Sequence, residues 1–127
     1  MEQKNIGTDR ALEKIKHYCA YQERSHQEVK DKLYSFGLYP GEVEELLSQL
    51  ISENYLNEER YAIAFAGGKF RAKHWGRIKI RYALKLQRVS DYCIKKALAI
   101  IDERDYAQLL DKLAQEKQRT LRSEKNI

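Results

Sequence analysis

The chain has little that breaks or staples a backbone. Its 127 residues include one proline and 6 glycines, too few for the many tight turns of a β-sandwich, whereas long helices need few such residues. Two cysteines, Cys19 and Cys93, exclude a disulfide framework. No apolar run approaches the roughly 20 residues that span a bilayer, and no basic-then-apolar signal segment opens the chain. The expectation is a reduced, cytoplasmic protein with no membrane partner. What is present is 43% hydrophobic and 34% charged, enough for a core under a heavily charged surface, which excludes a disordered polymer. One ordinary domain or a short array of small helical units fits this length; a complete Rossmann or barrel enzyme does not. The expected class is all-α.

Apolar residues recur at i, i+3, i+4 and i+7, most clearly at Val43, Leu46, Leu47, Leu50 and Ile51. Start signals precede most such runs. Ser25 with Glu28 reads as a capping box, Pro40 suits a first turn ahead of Glu42, Glu44 and Glu45, and Asn57 precedes Glu58 and Glu59. Ser90 with Asp91, and Asp102 with Glu103, repeat the pattern of a capping oxygen followed by acids. Helices are therefore expected near 9–22, 26–36, 40–53, 58–73, 77–87, 91–101 and 103–122.

A shift of 51 residues lays one trio of helices on the next. Leu12 falls on Ile63, Val29 on Ile80, Leu33 on Leu84, Leu38 on Val89, Val43 on Ile94 and Leu47 on Leu98, while Ser25 falls on Gly76. Hydrophobic positions match and surface identities do not, as expected of a duplicated three-helix unit in which each copy keeps its own core. Residues 1–57 are read as the first unit with an N-terminal extension and 58–101 as the second. Residues 102–127 are read as the start of a third unit, with Tyr106, Leu109, Leu110 and Leu113, followed by a disordered basic tail.

Charge is unevenly distributed. Residues 1–57 hold 7 Lys or Arg against 10 Asp or Glu, and residues 58–127 hold 17 against 9. From Lys69 to Lys96 there are ten bases and a single acid, Asp91. Such a field suits nucleic-acid phosphates or an acidic protein face, although a run of charge is also what a solvated helical face looks like. At 100° per residue, Arg77, Arg81, Lys85 and Arg88 fall within about 80° of one another. Ile78, Tyr82 and Leu86 flank this stripe on one side and Ile80 and Leu84 on the other, so the helix is expected to be packed on two sides with one wet, cationic edge. Like charges at this spacing repel by about 0.2–0.5 kcal/mol per pair, so stability alone does not account for them. Lys69, Arg71, Lys73 and Lys79 extend the candidate binding set. Trp75 either joins them as a stacking anchor or seals the junction between the fourth and fifth helices. Most tyrosines, including Tyr18, Tyr61 and Tyr106, lie on apolar stripes and read as core.

Catalytic readings fail on spacing. Gly67-Gly68-Lys69-Phe70 has Ile63 where a phosphate loop needs its first glycine and Phe70 where it needs a Ser or Thr. The glycine pair is expected instead to admit a neighbouring helix or to kink its own. His17, His26 and His74 stand far apart, without metal-ligand spacing to Cys, Asp or Glu. Glu42, Glu44, Glu45, Glu53, Glu58 and Glu59 are explained as helix-start acids rather than metal ligands. The chain is read as non-enzymatic, with no metal and no cofactor.

Arg24-Ser25 with Glu28, Lys32 and Leu33; Tyr55-Leu56-Asn57-Glu58-Glu59-Arg60-Tyr61-Ala62 with Phe65; and Gly76 with Ile80 and Leu84 occur here in a specific order. In these residues, over roughly Arg10 to Lys117, the sequence resembles the RecX family of bacterial regulators of the RecA recombinase. The resemblance implies an elongated, curved array of tandem three-helix repeats, the third incomplete in this chain. It implies a monomeric regulator of homologous recombination, DNA repair and the SOS response that binds the RecA filament and lowers its ATPase and strand-exchange activity, with affinity for single- or double-stranded DNA. The alternative is a sequence-nonspecific DNA-binding helical module. Because the first unit has Glu28, Gly41 and Glu42 where the second has Lys79, Tyr92 and Cys93, the first is expected to face protein and the second DNA or an acidic groove.

Overall fold

The structure, a computed structural model, describes residues 4–101 and 111–118. Its helices are α1 (Thr8–Tyr21), α2 (His26–Ser35), α3 (Pro40–Ser52), α4 (Glu58–Lys73), α5 (Arg77–Leu86) and α6 (Asp91–Ile100). Residues 111–118 are also helical, and there is no strand among the described residues. The expected caps form. Ser25 Oγ accepts from the Glu28 N–H at 3.0 Å while Glu28 accepts from the Ser25 N–H at 3.0 Å, Asn57 accepts from the Arg60 N–H at 2.8 Å, and Ser90 from the Cys93 N–H at 3.3 Å. At α3, with Pro40 in its first turn, Glu42 accepts from the Tyr39 N–H at 2.9 Å. The expected start at Asp102 and the stripe residues Tyr106, Leu109 and Leu110 lie outside the described residues; Leu113 is helical and half exposed.

Two clusters of buried residues form, one from α1–α3 and one from α4–α6. Their lining obeys the 51-residue shift position by position: buried Ala11, Ile15, Cys19, Val29, Leu33, Leu38, Val43, Leu46, Leu47 and Leu50 fall on buried Ala62, Ala66, Phe70, Ile80, Leu84, Val89, Ile94, Ala97, Leu98 and Ile101. Volume is traded inside this frame. Ala66 and Ala97 stand where the first unit has Ile15 and Leu46, so α4 and α6 approach more closely than α1 and α3, and Phe70 in place of Cys19 compensates for part of the lost bulk.

The turn after the second helix of each unit shows the same frame under different demands. Gly37 has φ +81, and a Cβ there would lie 2.7 Å from the Lys4 carbonyl oxygen, because the N-terminal segment runs across this turn and donates from Ile6 to the Phe36 carbonyl at 3.2 Å. Its counterpart is Arg88, also left-handed at φ 59, with its N–H on the Lys85 carbonyl at 2.9 Å. Arg88 therefore lies beyond the end of α5, turned off the regular helical stripe on which Arg77, Arg81 and Lys85 sit. The sequence expectation of four cations on this one stripe is corrected to three.

The units meet through polar groups. Ser25, fully buried while capping α2, donates from Oγ to Gln87 Oε1 at 2.9 Å. Arg60 binds Glu23 Oε1 at 2.5 Å, Asn54 Oδ1 at 3.2 Å and the Asn54 carbonyl at 3.1 Å. Glu28 accepts a hydrogen bond from Tyr61, whose hydroxyl is pushed up from its ordinary pKa by burial and then by that carboxylate. His26 Nδ1 lies 3.9 Å from Glu58 Oε2, and the other Glu58 oxygen accepts from the Ser90 N–H.

Gly37→Ala should lower the unfolding free energy by about 2 kcal/mol or more, since a left-handed φ and a backbone clash coincide. Arg88→Gly should raise it by about 0.5 kcal/mol, the relief of a left-handed side chain less the entropy glycine adds to the unfolded chain. Chemical denaturation checks both. A third expectation concerns pH. Burial, opposed by Glu58 and aided by Lys30, holds His26 below its ordinary pKa of 6.5. The unfolded chain therefore binds a proton the folded one resists, and His26 contributes a loss of stability as pH falls through that value. His26→Gln should flatten the stability profile between about pH 7 and pH 5, the range in which an ordinary imidazole titrates.

Candidate protein and nucleic-acid interface

The cationic surface is built where α4 ends and α5 begins. His74 takes a left-handed conformation at φ 56 and donates from its backbone to the Phe70 carbonyl at 3.0 Å, and the Trp75 N–H reaches the Lys69 carbonyl at 3.3 Å. This close of α4 turns the chain so that Gly76 opens α5. No side chain caps α5, and its first turn carries no acid. Arg77 and Lys79 sit there instead, at the positive end of the helix dipole, an arrangement that costs about 0.3–1 kcal/mol per charge at an exposed site. The same place in the first unit holds the Ser25–Glu28 capping box.

Trp75 is half-buried against the second core. The Phe65 ring meets it edge-on at 6.4 Å, and Lys79, Lys69 and Lys73 place their ammonium groups 4.5, 5.1 and 6.0 Å from its ring centroid. The indole thus seals the α4–α5 junction and gathers three cations around itself, each contact worth about 0.5–1 kcal/mol when solvated. Three of the expected site residues are brought together here around a fourth. Arg77, Arg81 and Lys85 are exposed along α5, Lys85 lying 3.9 Å from Asp91. Arg88 stands in the turn beyond. Arg71 folds its guanidinium back to within 2.9 Å of where a Gly67 Cβ would be.

The two glycines of α4 have different surroundings. α4 is continuous through Gly67 and Gly68; the space over Gly67 is taken by Arg71, and a Cβ on Gly68 would meet nothing within 4 Å. Gly68 opens instead onto a groove between the units, about 490 Å³, lined by Gln22, Glu23, Glu28, Tyr61, Ala64, Phe65, Gly68, Lys69, Ala72, Lys73 and Gln87. One bank is acidic and the other basic. Sequence reasoning missed it because its two banks lie in different units and meet only on folding.

A further correction falls on α5. Ile78, Tyr82 and Leu86, expected to be packed, are 85%, 65% and 63% exposed. The helix is covered only through Ile80 and Leu84, both fully buried. The 51-residue shift held a signal for this: the matching positions in the first unit are Gln27, Asp31 and Ser35, all polar.

Among the described residues there is no grouping of His, Cys, Asp and Glu able to hold a metal ion, and no helix is long and apolar enough to cross a membrane. Cys19 and Cys93 are both buried, and burial raises the Cys19 thiol pKa, with Arg24 opposing and Glu23 adding to it.

Restoring the first unit's capping box in the second, by Gly76→Ser with Lys79→Glu, should stabilise the chain by about 0.5–1 kcal/mol, after allowance for the lost Lys79–Trp75 contact. Thermal unfolding followed by Trp75 fluorescence checks it.

A family model described as the second three-helix domain of RecX matches residues 57–98. The regulatory protein RecX of Clostridium perfringens (strain 13 / Type A) is 30% identical over 103 residues, 81% of this chain and 48% of that protein. That of Streptococcus gordonii is 24% identical over 99 residues, 78% of this chain and 37% of that protein. This chain spans about half, or less, of the length of such relatives. Among solved structures, the crystal structure of RecX from Lactobacillus salivarius superimposes with a TM-score of 0.68 at 23% identity, over 74% of this chain and 61% of that one. A second crystal structure of a regulatory protein RecX gives 0.71 at 23% identity, over 91% and 57%.

Proposed function

From the premise that this chain belongs to the RecX family, we propose that it is a cytoplasmic, monomeric, non-catalytic regulator that binds the RecA filament and its DNA and lowers ATP turnover and strand exchange. In this reading residues 1–57 and 58–101 are successive units, 102–127 opens a third, and the contact surface is Lys69, Arg71, Lys73, Trp75, Arg77, Lys79, Arg81, Lys85 and Arg88. The observation that carries it is the opening of α5, where cations replace the cap and acids that the first unit uses at the same place. Charges that weaken the helix they open are accounted for by a ligand that neutralises them.

The second reading, a sequence-nonspecific DNA-binding module, draws on Trp75 and its three lysines, since an aromatic ring among cations suits a stacked base. The two part in the absence of DNA: a RecA regulator binds nucleotide-loaded RecA alone, and a DNA module does not. Pure phosphate binding should also weaken with salt at a logarithmic slope of about −0.9 per phosphate on duplex or about −0.7 on single strands.

The acids that open α3 differ in their partners. Glu42 is held by the Asn5 amide at 2.9 Å and by the Tyr39 N–H, Glu44 pairs with Lys30 at 3.4 Å, and Glu45 is exposed. Glu44 and Glu45 are therefore the ones that can be reversed without uncapping α3.

Titrated into RecA assembled on single-stranded DNA, the chain should suppress ATP turnover. Charge reversal at Arg81 and Lys85 should raise the concentration needed by about tenfold, the equivalent of 1.4 kcal/mol, while helicity is kept. Reversal at Glu44 and Glu45 should change inhibition without weakening binding to free DNA. Undiminished turnover at saturating chain would sink the proposal.

A further inference from the structure

The helix α5 is amphipathic in an unusual sense. With Ile80 and Leu84 in the core and 100° of turn per residue, Tyr82 points directly away from the midpoint of that buried pair, and Ile78 and Leu86 lie within about 40° of Tyr82. Their 85%, 65% and 63% exposure is thus a ridge on the crest of the helix rather than the margin of its core face. At 1.5 Å per residue it runs for about 12 Å.

Nothing in the three-helix unit requires this ridge. The first unit folds with the same ten core positions and puts Gln27, Asp31 and Ser35 on the crest of its second helix. Exposing three large apolar side chains in register is a feature of interaction surfaces, not of solvated ones. Cations bracket the ridge. Arg77, Arg81 and Lys85 follow one flank at successive turns, and Lys79 stands on the other. A ridge with spacing i, i+4, i+8 seats in the groove between side-chain rows of another helix, and the bracketing cations require that helix to carry acids beside its apolar stripe.

We propose that Ile78, Tyr82 and Leu86 are the apolar anchors for an acidic amphipathic helix of the protein partner, framed by Arg81 and Lys85. The inference rests on the preceding reading for the identity of the partner and adds the chemistry of the contact. It divides the cationic surface in two: the α5 crest takes protein, and the Trp75 cluster with Lys69 and Lys73 remains for nucleic acid, with Lys79 at the boundary of the two. Nucleic acid suits the crest less well than a helix does, because the single ring of Tyr82 stands between Ile78 and Leu86, which offer no face to a neighbouring base and bring only apolar surface to a phosphate.

The test exchanges the crest for residues of the first unit's type, Ile78→Gln, Tyr82→Asn and Leu86→Ser, in the whole chain. Such residues are already tolerated at these positions by the first unit, and circular dichroism and thermal unfolding verify the fold. Four probes are titrated: nucleotide-loaded RecA without DNA, a single-stranded oligonucleotide, anionic phospholipid vesicles, and a synthetic helical peptide with leucines at i, i+4 and i+7 between rows of glutamates. The triple variant should lose about tenfold or more in affinity for RecA and for the peptide, as expected for a buried apolar anchor cluster, while oligonucleotide affinity stays within about twofold, a difference of only ~0.4 kcal/mol. Unchanged RecA and peptide binding by the variant overturns the inference and leaves the RecA reading standing. Peptide binding that depends on the crest, with no RecA binding by the unvaried chain, supports the helix-docking chemistry and overturns the RecA reading. An equal loss for the oligonucleotide, or vesicle binding that depends on the crest, overturns the assignment to a protein helix.

Discussion

The guanidinium of Arg60 is the constraint on which the arrangement of the two units depends. It sits in the first turn of α4, binds Glu23 in the loop between α1 and α2, and at the same time holds the Asn54 side chain and carbonyl in the linker between the units. An arginine has five donors in a fixed planar fork, so satisfying linker and neighbour together fixes the direction in which α4 leaves. The linker itself has little freedom, since Tyr55 and Leu56 both donate to the Leu50 carbonyl and Leu56 is buried in the first core. Ser25, Glu28, Tyr61 and Gln87 complete the joint around it. Every cationic residue of the second unit is positioned relative to the first through this polar joint.

A polar joint has consequences a greasy one would not. Each core is closed within its own unit, so the join contributes orientation more than burial. Hydrogen bonds and ion pairs that are half-solvated contribute modestly, about 1 kcal/mol each, and depend on solvent conditions, as His26 beside Glu58 illustrates. The groove left between the units, acidic on the Glu23 and Glu28 bank and basic on the Lys69 and Lys73 bank, follows from joining a net acidic unit to a net basic one along such a line.

Duplication separates the requirements of folding from those of recognition. Ten core positions recur at a constant interval with side chains that are chemically alike or compensate in volume, because both units bury the same faces of their three helices. Outside that frame the copies are free to differ, and they differ most around the second helix. One copy opens it with a capping box and a polar crest, and the other with glycine, cations and an apolar crest. The first choice favours local stability, and the second sacrifices part of it for a surface that presents charge and hydrocarbon together.

Much of this was settled by the sequence alone. Helix positions, the Ser25, Asn57 and Ser90 caps, the duplicated core and the charge imbalance are local or periodic properties, carried by side chains within a few residues of one another or by a repeat interval that survives any arrangement in space. The tertiary structure decided which faces are covered. From the sequence, Ile78, Tyr82 and Leu86 look like any apolar stripe, because a helical wheel shows which residues share a face but not whether another helix lies against it. Arg88 looked like the next member of a stripe until the turn that follows α5 took it into a left-handed conformation. The groove and the three lysines around Trp75 likewise bring together residues from separate helices, α4 and α5 at the tryptophan and both units at the groove. Such gatherings are set by where α4 leaves its joint and how its C-terminal turn closes, and so are determined by three-dimensional packing rather than by any pattern along the chain.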